Sequence, residues 1–268
     1  MQEILKVAML PMDITWADRS ENLSQLEEAI RKLRPDTDLV VLPELFSTGF
    51  IDDPELLATV SEDNSGAAMK VVKRLAAQYN VAIAGSFLAR DNGALYNRGF
   101  IVEPDGQTAT YDKCHLFCIS PEAQLMHHGN AEPPVIRFRG WNISLVICYD
   151  LRFPAWCRNK DGRYDILLVP ANWPDARRYA WEHLLIARAI ENQAVVVGVN
   201  RSGSDDYGCY DGMTAAYDHK GMLIKPENPD AGASAKDWIY ISADRRPMHQ
   251  AREKLPFLKD ADSYSYNN

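Results

Sequence analysis

Ile143-Ser144-Leu145-Val146-Ile147-Cys148-Tyr149-Asp150-Leu151-Arg152-Phe153-Pro154 is the stretch on which the reading of this chain turns. Its apolar run is short and bounded, as a buried strand requires, and Cys148 stands at the tip. The residues that follow read as a turn into a helix start. A thiol carried to the end of a strand is a nucleophile on a rigid support, presented at the mouth of a sheet. A free thiol has a pKa of about 8.5, so near neutral pH it needs a neighbour to take its proton.

Outward from this stretch the same layout repeats. Lys6 to Leu10, Asp38 to Pro43, Val81 to Phe87, Ile166 to Val169 and Ala194 to Asn200 are short apolar runs and predict strands. Ser20 to Leu33, Ala67 to Tyr79 and Arg177 to Asn192 predict helices; in the first, Leu23, Leu26, Ile30 and Leu33 share one face. Tyr96 to Val102 and Thr108 to Asp112 flank the turn Glu103-Pro104-Asp105-Gly106 and predict a hairpin. Met213 to Tyr217 and Met222 to Lys225 flank a second turn, Asp218-His219-Lys220-Gly221. Trp238 to Ser242 reads as the last strand, Pro226 to Ala235 as a surface loop, and Arg245 to Asn268 as an extended tail. No linker rich in Gly, Pro or Ser divides the chain. The expectation is one mixed α/β domain over residues 1–268, with helices covering strands of both directions.

Composition bounds the function. The 268 residues are 46% apolar and 25% charged, ordinary values for a globular protein. The net charge of −8, from 29 basic and 37 acidic residues, opposes a nucleic-acid binder or a polybasic reader of membranes. No apolar run approaches the roughly 20 residues that span a bilayer. Met1-Gln2-Glu3-Ile4-Leu5-Lys6 does not read as a secretory leader. Five scattered cysteines predict a reducing, cytoplasmic compartment without a disulfide framework.

Three further residues share the strand-end position of Cys148. Glu44 follows Leu39-Val40-Val41-Leu42-Pro43, Lys113 follows Tyr111-Asp112, and Asn172-Trp173-Pro174 follows Leu167-Leu168-Val169-Pro170-Ala171. Loops at the carboxyl ends of strands converge on one rim of an α/β sheet, so these groups can meet. A carboxylate beside a thiol is a general base, and an ammonium lowers the thiol pKa and stabilises an oxyanion. The Tyr149 N–H is placed to donate to the same oxyanion. Read singly, Glu44 is equally a solvated strand-end acid, Lys113 a surface lysine and Cys148 an inert buried thiol.

Taken together, Leu42-Pro43-Glu44-Leu45-Phe46, Tyr111-Asp112-Lys113-Cys114-His115-Leu116-Phe117 and Ile147-Cys148-Tyr149-Asp150-Leu151-Arg152-Phe153-Pro154 resemble, in order, the three signatures of the nitrilase superfamily of carbon–nitrogen hydrolases. Arg188-Ala189-Ile190-Glu191-Asn192-Gln193 resembles its later part. The resemblance implies a four-layer α-β-β-α sandwich and a Glu–Lys–Cys triad. Glu44 matches the general base, Lys113 the oxyanion-stabilising lysine and Cys148 the nucleophile. Glu122 stands where many members carry a second glutamate, which implies a supporting role toward Lys113 and the attacking water. Its plain reading is an acid at a helix start after Pro121. The family also implies a homodimer, with higher assembly open, through a helix after Phe153 and the Arg177 to Asn192 helix. No metal or organic cofactor is implied.

His115-Leu116-Phe117, Asn172-Trp173-Pro174 and Trp181 with Leu184 to Gln193 resemble the omega-amidase branch, whose substrates are amides of 2-oxo acids. Such a substrate carries a carboxylate, for which Arg177 or Arg178 is a candidate anchor; the plain reading is surface arginines at a helix start. Trp173, Phe50 and Tyr149 are candidate walls of the pocket, or core. Arg152 reads as a brace of the nucleophile turn and not as a substrate ligand. The rivals are sibling amidases, N-carbamoyl amidohydrolases and nitrilases, and, outside enzymes, a silent binding protein. Cys114, His115, Cys118, His127 and His128 bunch together, but their spacing matches no usual zinc pattern. Cys157 and Cys209 are read as structural.

Overall fold

The computed structural model describes residues 2–228, 237–262, 264 and 265. In chain order the elements are β1 (Ile4–Met9), α1 (Arg19–Arg31), β2 (Leu39–Val41), α2 (Pro54–Val60), α3 (Ala67–Tyr79), β3 (Ala82–Asp91), β4 (Ala94–Val102), β5 (Thr108–Asp112), α4 (Glu122–Leu125), β6 (Val135–Phe138), β7 (Trp141–Leu145), β8 (Ile166–Ala171), α5 (Arg178–Glu191), β9 (Val195–Asn200), β10 (Ser202–Asp205), β11 (Gly208–Asp211), β12 (Ala215–Tyr217), β13 (Ile239–Asp244) and α6 (Arg245–Lys254).

Two sheets form the centre. One has six strands in the order β13-β1-β2-β3-β4-β5, the other five in the order β12-β9-β8-β7-β6. Each is parallel in its middle, where β1, β2 and β3 pair, and β7, β8 and β9 pair, and antiparallel at its edges. The alternation along β1 explains the layering. Leu5, Val7 and Met9 point between the sheets, into a core shared with Trp141, Ile143 and Leu145 of β7. Ala8 and Leu10 point the other way, against Leu23, Leu26 and Ile30 of α1 and Met69, Val72 and Leu75 of α3. On the far side, Trp181, Leu185 and Ala189 of α5 join the inter-sheet core cluster across β9. The result is the expected α-β-β-α order, with apolar runs buried on both faces as covered parallel strands demand.

β5 is antiparallel to β4, which is antiparallel to β3, so β5 runs with β2 and β3. The carboxyl ends of β2 and β5 in one sheet, and of β7 and β8 in the other, therefore open on one rim. That arrangement gathers the chemistry.

Several expectations need correction. Arg245 to Lys254 is a helix, α6, started by the Asp244 carboxylate accepting the Arg246 N–H at 3.0 Å and anchored by buried Met248, so the C-terminal stretch is not simply extended. A 3-10 turn follows at Phe257–Asp260. The helix expected after Phe153 is a run of turns; the helical segment there is the 3-10 turn Cys148–Arg152 itself. The second strand expected at Met222 to Lys225 is a single bridge, Leu223 to Tyr217. The loop expected at Pro226 to Ala235 lies largely outside the described residues. Unforeseen were α2, β6 and the β10–β11 hairpin.

Candidate active site

Cys148 begins the 3-10 turn after β7 with φ at +44°, a left-handed backbone that a side-chain-bearing residue adopts only when its surroundings impose it. The imposing group is Asp150. Its fully buried carboxylate accepts the Ile147 N–H at 3.1 Å, the Tyr111 hydroxyl at 2.8 Å, the His115 N–H at 2.9 Å, and lies 2.8 Å from His115 Nδ1. The turn is thereby tied to the segment that carries Lys113. Arg188 of α5 secures the other side, donating through Nε and Nη2 to the Leu151 carbonyl at 3.1 and 2.6 Å. The brace foreseen in Arg152 is thus supplied by Arg188.

Lys113 follows β5 directly and is 2% exposed. Its ammonium donates to Oε1 of Glu44 at 2.8 Å and to Oε1 and Oε2 of Glu122 at 2.8 and 3.0 Å. Burial alone would lower the Lys113 pKa, but the Glu122 and Glu44 carboxylates outweigh it and hold the pKa well above the usual range. Glu122 opens α4, yet it is buried and also accepts the Phe117 N–H at 2.7 Å, so it is no solvated helix-start acid.

Glu44 Oε1 also accepts Asn97 Nδ2 at 2.7 Å, and Oε2 accepts the Asn172 N–H at 2.8 Å. A carboxylate has about four acceptor positions, and three are filled, which leaves one for the thiol proton. The thiol itself lies 4.0 Å from the Asn172 carbonyl. Burial first, then the Glu44 carboxylate, push the Cys148 pKa well up, against the opposing pull of Lys113. The ammonium lowers it, as expected, but burial and Glu44 together outweigh that pull. One lysine already balances two carboxylates, so a thiolate would be a third anion in a dry site.

These groups line one cavity of about 480 Å³. The catalytic candidates Glu44, Lys113, Glu122 and Cys148 lie at its base, and Tyr149, Trp173, Phe50 and Arg177 line its walls and rim. Arg177 holds its guanidinium over the Phe117 ring, 5.1 Å from the centroid. Arg178 does not line it and pairs with Glu182 and Asp211 instead. The bunched Cys and His residues diverge: His115 pairs with Asp150 and stacks on Phe153, while His127 packs on Tyr96.

Three contributors were not foreseen, and a fourth residue, Arg152, was foreseen only as a brace. Asn97, wholly buried on β4, bridges Glu44 to Glu122, donating to the latter at 3.3 Å. Tyr207 and Tyr210 come from the polar β10–β11 hairpin, and Tyr207 meets Phe50 edge-on at 5.0 Å. Arg152 lines the cavity with its guanidinium 4.7 Å from the Trp173 ring centre. Only Asn97 left a signal in the sequence, as an amide inside a strand run that is buried beyond it.

The arrangement holds a thiol, a carboxylate with one open acceptor site and a fixed ammonium in a largely apolar cavity, groups of the kind acyl transfer uses. Residues 6–251 match the family model described as carbon-nitrogen hydrolase. An omega-amidase, YafV, of Escherichia coli (strain K12) is 37% identical, with 97% of this chain and 98% of that protein covered. A 2-oxoglutaramate amidase of Bacillus subtilis (strain 168) is 32% identical, with 95% and 96% covered. A CN-hydrolase superfamily protein from Xanthomonas campestris, solved with an arsenic adduct in its active site, superposes with a TM-score of 0.90 at 32% identity over 99% of this chain and all of that one. The chain belongs to the carbon–nitrogen hydrolase family, the nitrilase-superfamily enzymes that hydrolyse carbon–nitrogen bonds other than peptide bonds.

Proposed function

We propose that this enzyme is an omega-amidase that deamidates 2-oxoglutaramate or 2-oxosuccinamate through a Cys148 thioester. The observation that carries the chemistry is the Lys113 ammonium clamped between Glu44 and Glu122 in the cavity that holds Cys148. The relatives in Escherichia coli and Bacillus subtilis support the branch.

In this reading Glu44 takes the thiol proton as Sγ attacks the amide carbon. The oxyanion is held by Lys113 and by the Tyr149 N–H, which belongs to the first turn of a helix, where N–H groups have no intrahelical acceptor. The C–N bond breaks as Glu44 returns the proton to the leaving nitrogen, and ammonia departs. Water then loses a proton to Glu44 and attacks the thioester; the acid leaves and the thiol is restored. Glu122 keeps Lys113 in place and positions the water. Trp173, Phe50 and Tyr149 shape the apolar walls, and Arg177 offers positive charge at the rim. The reaction draws on no metal or cofactor.

A single domain, a homodimer that includes α5 in its interface, and a cytoplasmic setting complete the proposal. The five cysteines free of disulfides fit a reducing compartment, and among the described residues no helix is long and apolar enough to cross a membrane.

The test is ammonia release from 2-oxoglutaramate by wild type and Cys148→Ala, beside deaminated glutathione, N-carbamoyl amino acids and a simple nitrile. Cys148-dependent turnover of the oxo acid amide above the others is expected. Turnover of another substrate alone would move the enzyme to a sibling branch, and full activity in Cys148→Ala would end the thioester scheme.

A further inference from the structure

Two guanidinium groups line the catalytic cavity, Arg152 and Arg177, and among the described residues neither pairs with a carboxylate. The acids among the lining residues are Glu44 and Glu122, and both are bound to Lys113. Among the lining residues the far part of the cavity therefore presents positive charge without an acid, the nearest carboxylates standing behind Tyr207.

The two arginines are not equivalent. Arg177 is exposed at the rim. Arg152 is half-buried and ends the 3-10 turn that begins with Cys148, so its Cα is fixed relative to the nucleophile by one short rigid segment. Its guanidinium lies against Trp173, which is itself fixed: the Trp173 N–H donates to Asn200 Oδ1 at 2.7 Å and its indole N–H to the Arg177 carbonyl at 3.0 Å. A guanidinium resting on an aromatic face keeps its edge donors available for a planar acceptor. Apolar surroundings strengthen such a charge-assisted pair beyond its value in water.

We propose that Arg152 is a specificity-determining residue that grips the carboxylate at the far end of the substrate, making the cavity selective for anionic monoamides of short dicarboxylic acids. The inference rests on the amidase reading and deepens it. It also separates two amides of one skeleton. A 2-oxo acid amide brings a carboxylate and a neutral carbonyl to Arg152. The matching α-amino acid amide brings an ammonium as well, which meets two guanidiniums and no lining acid other than those bound to Lys113, a repulsion that selects against it.

The experiment compares kcat/KM for 2-oxoglutaramate, glutamine and the neutral amide valeramide in wild type, Arg152→Met and Arg152→Lys. Wild type is expected to favour 2-oxoglutaramate over both others. In Arg152→Met the ratio of 2-oxoglutaramate to valeramide falls at least ~10-fold, and Arg152→Lys recovers part of it, because a point charge replaces a bidentate fork. An unchanged ratio in Arg152→Met, with wild type still favouring the oxo acid amide, overturns the anchor and leaves the omega-amidase reading standing. Wild type turning over valeramide but not 2-oxoglutaramate overturns both. Should Arg152→Met turn over nothing, calorimetry of 2-oxoglutarate with Cys148→Ala and with Cys148→Ala/Arg152→Met reads the same contact. Binding at least ~10-fold weaker in the double variant supports the anchor, and equal binding overturns it.

Discussion

Oε2 of Glu44 accepts the backbone N–H of Asn172 at 2.8 Å although the two residues lie 128 positions apart. Glu44 follows β2 in the six-stranded sheet and Asn172 follows β8 in the five-stranded one, so this bond spans the sandwich at its open rim. The carbonyl of the same Asn172 faces the Cys148 thiol. One short segment thus sets the Glu44 carboxylate and the Cys148 thiol in register, and the site depends on how the sheets meet.

Glu122→Gln tests whether the second carboxylate belongs to the chemistry. Gln keeps the size but surrenders the charge that clamps Lys113, and its amide cannot accept from both Lys113 and the Phe117 N–H through two oxygens. With the oxyanion donor loosened, kcat is expected to fall about 10²-fold with KM within about threefold. Were Glu122 only an acid at a helix start, kcat would hold and stability would drop by about 0.3–1 kcal/mol. Steady-state kinetics beside a thermal melt separates the two.

Asp150→Asn addresses the left-handed turn at Cys148. An amide presents one acceptor oxygen and two donors, so it cannot accept from Ile147, Tyr111 and both His115 groups as the carboxylate does. The fully buried carboxylate is also the link between the Lys113 segment and Cys148. Stability is expected to fall by about 3 kcal/mol and kcat by more than the melt predicts, because the left-handed turn at Cys148 relaxes. A variant that melts lower yet keeps wild-type kcat would confine Asp150 to folding.

How much of this was legible in the sequence differs by element. The strand-end position of Glu44 and Cys148 was readable because each follows an apolar run that only a covered strand explains, and that of Lys113 because the turn Glu103 to Gly106 marked a hairpin whose second strand ends at Asp112. The helices α1, α3 and α5 were readable from their apolar spacing. The β10–β11 hairpin was not, since Ser202 to Asp211 is polar and Gly-rich. It is held by the buried Arg201, which pairs with Asp205 at 2.8 Å and reaches back to the Ile14 carbonyl at 3.0 Å, contacts with no sequence period. The helix α6 was missed for a related reason. It is mostly polar, and Arg252 anchors it through the Gln193 and Tyr164 carbonyls and Asp165. Arg152 was placed in the right turn, but the bonds that brace that turn come from Arg188, on a helix far along the chain that no local pattern links to it.

The buried thiol of Cys157 predicts an alkaline limit to stability. Burial, the leading cause, with Asp150 and Glu191 against the opposing Arg188, pushes its pKa up to about 12, and its Sγ lies 3.4 Å from the Asp150 carbonyl. In the unfolded chain the thiol titrates near 8.5. The folded pKa is the higher one, so the contribution is fully present below about pH 8.5 and is lost as pH rises toward 12. At pH 10 this thiol alone removes about 2 kcal/mol relative to pH 7, at about 1.4 kcal/mol per unit. Melts of wild type and Cys157→Ala between pH 7 and 10 are expected to show the shallower decline in the variant. Parallel declines would assign the limit to other groups, such as the buried hydroxyls of Tyr111 and Tyr164, whose pKa values burial also raises.

Gly99 is where the spacing of the sheets meets the Cys148 turn. It lies on β4 in the six-stranded sheet, and a Cβ there would stand 2.5 Å from Leu145 Cδ2 and 3.2 Å from Ile147 Cδ1 in the opposite one. Both neighbours are fully buried, so neither can swing aside, and Ile147 immediately precedes Cys148. Gly99→Ala is expected to cost about 1–3 kcal/mol through overpacking. Because the displaced strand end carries the nucleophile out of register with Glu44, kcat should fall as well. Gly93→Ala is the comparison. That glycine, at φ +83°, has nothing within 4 Å of the added carbon, so the cost is backbone strain of about 1–2 kcal/mol with kcat unchanged. Equal losses of stability with equal, undiminished kcat in the two variants would show that inter-sheet spacing does not set the geometry of the thiol.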